Sequence, residues 1–231
     1  EFSGRLQAAE KVDVRPRIDG TIESVHFADG ALVKKGDLLF KIDPRPFDAA
    51  VRRAEATLNA AKADIATAAS DRARAERLIK DKAIPQREFD EIKNRALTAT
   101  ARVQAADAEL TSARLNLEYT NITAPIDGRA SRAEITAGNV VQGSMNPPVL
   151  STLVSQDPIY ADFDMDEQTY LSFIKTGALA SDGKIPVTLQ LAENSGGEYS
   201  GAIQSFDNHL DPASGTVRVR AVFNNADGAL I

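Results

Sequence analysis

Between Phe47 and Leu117 the apolar positions of the chain fall on a rhythm of threes and fours. Phe47, Val51, Ala54, Leu58, Ala61, Ile65 and Ala68 are spaced 4, 3, 4, 3, 4, 3, which is the seam of a heptad repeat. Phe89, Ile92, Ala96, Ala99, Val103, Ala106, Leu110, Ala113 and Leu117 repeat the alternation. Ile84-Pro85 stands between the two runs. Proline disfavours helix in the residue ahead of it and brings no amide hydrogen to an existing turn, so one helix must stop near Lys82 and another start near Gln86. The pattern predicts an antiparallel hairpin with arms of about 33 residues, each about 50 Å long. Its alanine-rich seam lets the backbones approach closely, while Arg52, Arg53, Glu55, Lys62 and Asp64 face water. Such a rod exceeds what a body of this size needs for its own core and points to reach toward a partner. A hairpin lying along its own body is the plainer alternative.

On either side of the hairpin one motif occurs twice. Arg17-Ile18-Asp19-Gly20 is followed by Gly30, Gly36 and Leu38-Leu39-Phe40-Lys41-Ile42; Pro125-Ile126-Asp127-Gly128 is followed by Gly138, Gly143 and Val149-Leu150-Ser151-Thr152-Leu153. The glycine intervals are 10 and 6 in the first copy, 10 and 5 in the second. This is an internal repeat. Asp-Gly favours tight hairpin-type turns, so each copy reads as short strands joined by turns. Ile18, Ile22, Val25 and Phe27 face Ile126, Ala130, Ala133 and Ile135 as apolar surfaces that neither half can bury alone.

Past Gln156 the period becomes two. Ile159, Ala161 and Phe163 alternate with polar neighbours, as do Ile185, Val187, Leu189 and Leu191, and Val217, Val219, Ala221 and Phe223. These strands predict a small barrel. Asp166 to Ile174, with acids early and apolar residues at helical spacing, reads as a single short helix, and Asp211-Pro212-Ala213-Ser214-Gly215-Thr216 reads as a turn.

Composition narrows the function. The 231 residues are 43% hydrophobic, enough for real cores, and the net charge of -6 with no basic, aromatic-interleaved cluster argues against nucleic acid. The sequence holds no cysteine, which removes disulfides and thiolate metal sites. It has no run of about 18 apolar residues and no signal-peptide pattern. Glu1-Phe2 reads as a cloning scar and the chain halts at Gly228-Ala229-Leu230-Ile231 in what reads as a strand approach, so a sequence trimmed at its ends is expected. Catalytic chemistry is sparse. His26 and His209 fall in different predicted domains without ligand-spaced carboxylates, and Asp162, Asp164, Asp166 and Glu167 lack the glycine of a calcium loop. No serine, Ser151 included, sits in a nucleophile elbow. The reading is of a protein that is not an enzyme and needs no cofactor or metal.

The two flanking halves resemble those of a biotinyl/lipoyl carrier domain, a flattened sandwich of two four-stranded sheets related by a quasi-twofold axis. A working carrier joins its halves by a tight turn bearing the modified lysine, usually between methionines. Here about 70 helical residues take that place, and the methionines are Met145 and Met165. A split lipoyl-like domain around a helical hairpin resembles the periplasmic adaptors, or membrane fusion proteins of the HlyD/AcrA/MexA-like kind, that serve tripartite efflux pumps. Val14-Arg15-Pro16-Arg17-Ile18-Asp19-Gly20, Val33-Lys34-Lys35-Gly36-Asp37-Leu38-Leu39, Ile42-Asp43-Pro44 and Thr123-Ala124-Pro125-Ile126-Asp127-Gly128 are similar to the branch serving resistance-nodulation-division (RND) transporters.

The resemblance implies an α+β, elongated, multidomain chain. Residues 10-46 plus 119-155 would form the lipoyl-like domain, 47-118 the coiled-coil hairpin, and 1-9 plus 156-231 a β-barrel domain with one helix, the family's membrane-proximal domain being absent or truncated. It also implies a periplasmic location with an inner-membrane anchor outside this sequence. The implied partners are a proton-driven inner-membrane RND transporter, a TolC-like outer-membrane channel, and further copies of the chain in a ring or funnel. An adaptor of an ATP-driven exporter or type I secretion system is the near alternative, and a biotinyl/lipoyl carrier the distant one. In the family an Arg, a Leu four residues later and a Ser seven beyond that touch the channel at the hairpin tip. Arg74 and Leu78 match the first two positions and Pro85 stands where the serine would be. A serine there caps the second helix, worth about 1 kcal/mol; Pro85 is expected instead to begin it with a preset φ, helped by Glu88, Asp90 and Glu91 near the positive end. The plain readings are a solvated charge for Arg74 and, with Ile79 adjacent, a seam residue for Leu78.

Overall fold

The computed structural model describes residues 2–175, 185–191, 198–212 and 214–230. Phe173 and Ile174, expected to pack as the apolar face of the short helix, and Ala213 of the predicted turn have side chains outside that description.

The heptad runs form helices α1 (Arg45–Lys80) and α2 (Gln86–Glu118). Ala54, Leu58 and Ala61 of α1 close with Ala106 and Leu110 of α2 into a buried seam, with Val51, Val103 and Ala113 against its sides. Ala96, Ala99 and Ala75 are also buried, so the seam runs one turn and more past Ala68 toward the tip. Alanine at these positions gives up burial area but lets the helices sit close, and straight helical propensity covers part of the loss. One lateral ion pair, Arg114 to Glu55 at 2.9 Å, bridges the arms.

The repeat forms eight strands: β2 (Lys11–Val14), β3 (Gly20–Val25), β4 (Leu32–Val33) and β5 (Leu38–Ile42) before the hairpin, then β6 (Asn121–Thr123), β7 (Gly128–Ala130), β8 (Val140–Val141) and β9 (Ser151–Val154) after it. They make two four-stranded sheets, β2-β9-β7-β4 and β6-β5-β3-β8. Exchanging each strand for its counterpart in the other copy turns the first order into the second. Each sheet therefore draws strands from both halves, and Ile22, Leu39, Phe40 and Ile42 share one core with Ala130, Val141, Leu150 and Leu153.

The Asp-Gly pairs do not make the hairpin turns expected of them. Gly20 and Gly128 open strands β3 and β7, and the aspartates before them reach across the dyad. Asp19 Oδ1 accepts from the Gly143 amide and Asp127 Oδ1 from the Lys35 amide, each at 2.6 Å. Each copy thus ties down the glycine turn of the other with a charge-assisted bond. The third glycines of the repeat serve different needs. Gly36 sits at φ +94° in open space, while at Gly143 a side chain would run into the Arg17-Ile18 backbone.

The remaining strands are β1 (Gly4–Ala8), β10 (Ile159–Asp166), β11 (Pro186–Leu189), β12 (Tyr199–Asp211) and β13 (Thr216–Phe223), an antiparallel sheet in the order β1-β10-β13-β12-β11. Period-two patterning buries Ile159, Ala161, Val219, Ala221 and Phe223 on one face. Leu191, expected to continue the alternation, lies beyond the end of β11. Helix α3 (Glu167–Lys175) starts where Asp166 accepts from the Thr169 amide at 2.9 Å and its hydroxyl at 2.8 Å. Residues 224–230 are not a strand approach. They fold back around Asn225, which is 1% exposed and bonds through its side chain to Gln156 O and to both backbone groups of Leu230, while its own amide donates to Asp157.

Candidate functional site

The hairpin is rooted in the sandwich and free at its far end. β5 leads directly into α1 and α2 returns directly into β6, two strands paired with each other, so the base of the rod is held by a sheet. At the entry Asp43 takes the Arg45 guanidinium at 2.7 Å and the Arg45 amide at 3.1 Å. These hydrogen bonds, the guanidinium's first, lower the Asp43 carboxyl to about 2. Pro46 is tolerated because the first helical turn has no amide acceptor to lose.

At the tip the chain reverses between Lys80 and Gln86. Lys82 adopts φ +56°, its amide donates to Ile79 O at 3.1 Å, and the Ala83 amide donates to Leu78 O at 2.8 Å. This is a Schellman close, in which the residue after the cap sits in the left-handed region and two of the last carbonyls are satisfied. Lysine holds a position glycine usually fills, so no residue in the sequence marked it. Pro85 is not the first helical residue, as its preset φ led one to expect. Its ψ of 150° is extended, it is the N-cap, and α2 begins one residue later at Gln86. The reason is backbone geometry: the Pro85 carbonyl takes the Glu88 and Phe89 amides at 3.1 and 3.3 Å, and its ring has no group to cap with. Glu88 lies in the first turn, near the positive end of the helix.

Arg74 and Leu78, one turn apart on α1, are both exposed, and Pro85 is exposed across the turn. Leu78 keeps 37% of its surface while its neighbour Ile79 is half-buried, so Ile79 continues the seam and Leu78 points off it. Among the described residues Arg74 has no ion-pair partner, whereas nearby Arg72 pairs with Glu76 and Arg87 with Glu91. The tip thus presents an arginine, a leucine and a proline on a rigid reversal.

Elsewhere the candidate chemistry resolves into structure. His26 Nε2 lies 2.8 Å from Ser24 Oγ at the end of β3, and His209 is exposed on β12. Asp162 forms a two-pronged pair with Arg220 at 2.7 and 2.8 Å, directly opposite in register, and that hydrogen bonding lowers its carboxyl pKa. Asp164 faces Arg218 at 3.8 Å, and Asp166 caps α3. Ser151 is buried and donates to Ser131 O. Among the described residues no cluster of His, Cys, Asp or Glu is arranged to hold a metal, and no helix is long and apolar enough to cross a membrane.

Comparison with known proteins adds a family. Residues 10–152 match the family model described as the barrel-sandwich hybrid domain of RND MFPs, and residues 158–231 match that of the RND MFP beta-barrel domain. Multidrug resistance protein MdtA of Erwinia amylovora is 34% identical over 228 residues, covering 98% of this chain and 55% of its own length. The chain therefore spans about half the length of the curated relatives it matches. Among solved structures, MacA from Actinobacillus actinomycetemcomitans has the same fold at a TM-score of 0.66 and 23% identity, over 99% of this chain and 74% of that one. The membrane fusion protein Spr0693 from Streptococcus pneumoniae aligns at 0.70 and 14%, over 96% and 88%.

Proposed function

The chain belongs to the membrane fusion proteins of RND pumps, and from that premise we propose that it is a non-catalytic periplasmic adaptor, linking a proton-driven inner-membrane transporter to an outer-membrane channel. The observation that carries the reading is the hairpin: 36 and 33 residues of helix leave a rigid sandwich between two paired strands and end in an exposed reversal. An arm of about 50 Å, closed by a thin alanine seam, holds no ligand of its own and serves to set its tip at a distance. Arg74, Leu78 and Pro85 form the contact with the channel, Leu78 supplying desolvated area and Arg74 a charge for a carboxylate or carbonyl on the channel's periplasmic end.

In this role the chain moves no substrate and makes or breaks no bond. It holds two membrane proteins in register, with the full-length protein anchored to the inner membrane and several copies surrounding the path. The cargo class we assign, drugs or other small toxic compounds, follows the relatives, which are multidrug resistance proteins by name. The test is photo-crosslinking in cells from a probe at Leu78 of the full-length, anchored protein. Capture of an outer-membrane channel is the expected result; capture of none, in cells where the protein supports export, refutes the tip assignment.

A further inference from the structure

The two arms differ on the faces they turn away from each other. On α1 the exposed outward positions carry Arg52 and Arg53 near the base and Arg77 and Lys80 near the tip, with small residues between and no acid. Among the described residues none of these four bases makes an ion pair. On α2 the outward positions carry Asp90 and Glu91 near the tip and Glu118 at the base. Between those acids stand Leu97, 55% exposed, and Leu115, 43% exposed. Arg87, the one base on that face, is tied to Glu91 at 3.2 Å.

The levels along the rod agree as well as the signs. Arg77 lies three residues before the end of α1 and Asp90 four after the start of α2, so at about 1.5 Å per residue both stand about 5 Å from the reversal. By the same count Arg52 and Glu118 stand about 42 and 48 Å down, and Leu97 about 17 Å down, level with exposed Ser70. Within one hairpin these faces point apart, so neither can satisfy the other.

Resting on the adaptor reading above, we infer that the surface each face fits is the opposite face of a second copy of this chain, set parallel and in register, basic α1 face against acidic, leucine-bearing α2 face. Pairing α1 with α1 sets arginine against arginine, and α2 with α2 sets carboxylate against carboxylate. The contact is therefore heterologous, leaves one free face at each end, and closes only as a ring. Exposed ion pairs are individually weak, so Leu97 and Leu115 supply the buried area while the charges select orientation and exclude the two like-with-like pairings.

The 231 residues contain no cysteine, which makes the test direct. Ser70→Cys and Leu97→Cys are introduced together and singly into the full-length, membrane-anchored protein, which is oxidised mildly in cells. The double variant should give a covalent ladder of three or more copies, and neither single variant should give a comparable dimer. Adding Arg77→Glu should cut the ladder roughly threefold, the scale of one exposed ion pair, and Asp90→Lys in the same chain should restore it. Strong dimers from either single variant, or no ladder from a double variant that still supports export, would overturn the face assignment. Capture of the channel from Leu78 reads the adaptor role separately, so the two readings fail in different experiments.

Discussion

Replacing Gly143 by alanine tests the dyad that locks the two halves of the sandwich. The new Cβ would lie 2.3 Å from the Arg17 carbonyl carbon and 2.3 Å from the Ile18 nitrogen. Carbon contacts settle near about 3.5 Å, so the loop must withdraw by roughly 1 Å. Neither neighbour is a side-chain tip that can swing aside; both are backbone of the other half. Withdrawal also draws the Gly143 amide away from Asp19, at 2.6 Å now. Overpacking of this kind costs about 1–3 kcal/mol and a weakened charge-assisted hydrogen bond about 1.5–3, so a net loss of about 3 kcal/mol is expected. For a chain of this size that lowers Tm by about 6–12 °C. The internal control is Gly36→Ala, where nothing lies within 4 Å and the penalty is the φ of +94° alone, about 1–2 kcal/mol. Melting followed by circular dichroism measures both variants. Hydrogen exchange at the Ile22 and Gly138 amides, which bond across the halves, assigns the loss to the sandwich. If Gly143→Ala melts no lower than Gly36→Ala, the close approach of the two halves at Arg17 is not what the glycine is for.

Four further outcomes are expected. Leu78→Glu should abolish export while leaving Tm within about 2 °C of the parent, since exposed substitutions rarely exceed about 0.5 kcal/mol; a large loss of stability would return Leu78 to the seam. Ala106→Leu should destabilise the hairpin by about 1–3 kcal/mol, because a 5% exposed alanine between two close backbones has no room to yield, and an unchanged helical melt would count against the packing. Lys82→Gly should stabilise the reversal by about 1 kcal/mol by relieving a left-handed residue, read as slower exchange of the Ala83 amide; faster exchange would reject the Schellman close. For Asp162, whose folded pKa is lowered, the stabilisation is complete above the ordinary aspartate value and is lost as pH falls through the folded one. Asp162→Asn should therefore lose stability at neutral pH and converge with the parent in acid, and a gap that persists at the lowest pH would assign the effect to something other than the Arg220 pair.

The helical hairpin was legible in the sequence because a three-four rhythm is a local property: where a side chain points depends on the few φ and ψ angles before it. Pro85 punctuated the reversal to within a few residues, yet the N-cap geometry of Pro85 and the left-handed Lys82 went unseen, since a turn's closing bonds depend on how two helices meet. Leu78 and Ile79 illustrate the same limit. Both fit the apolar pattern, and only the roll of α1 against α2 put Ile79 toward the seam and Leu78 outward.

What the sequence by itself determined is the set of parts and their order: two copies of a glycine-spaced strand motif, a heptad hairpin between them, and a period-two segment after. Their spacing and alternation are written residue by residue. Only the tertiary structure decided that each sandwich sheet takes strands from both copies, and that Asp19 and Asp127 serve not their own turns but amides 124 and 92 residues away. It likewise made β1 a partner of β10 and Asn225 the buried clasp beside Gln156. Strand pairing and carboxylate choice are decided by which groups remain unsatisfied once the core has closed. No window of neighbouring residues contains that information.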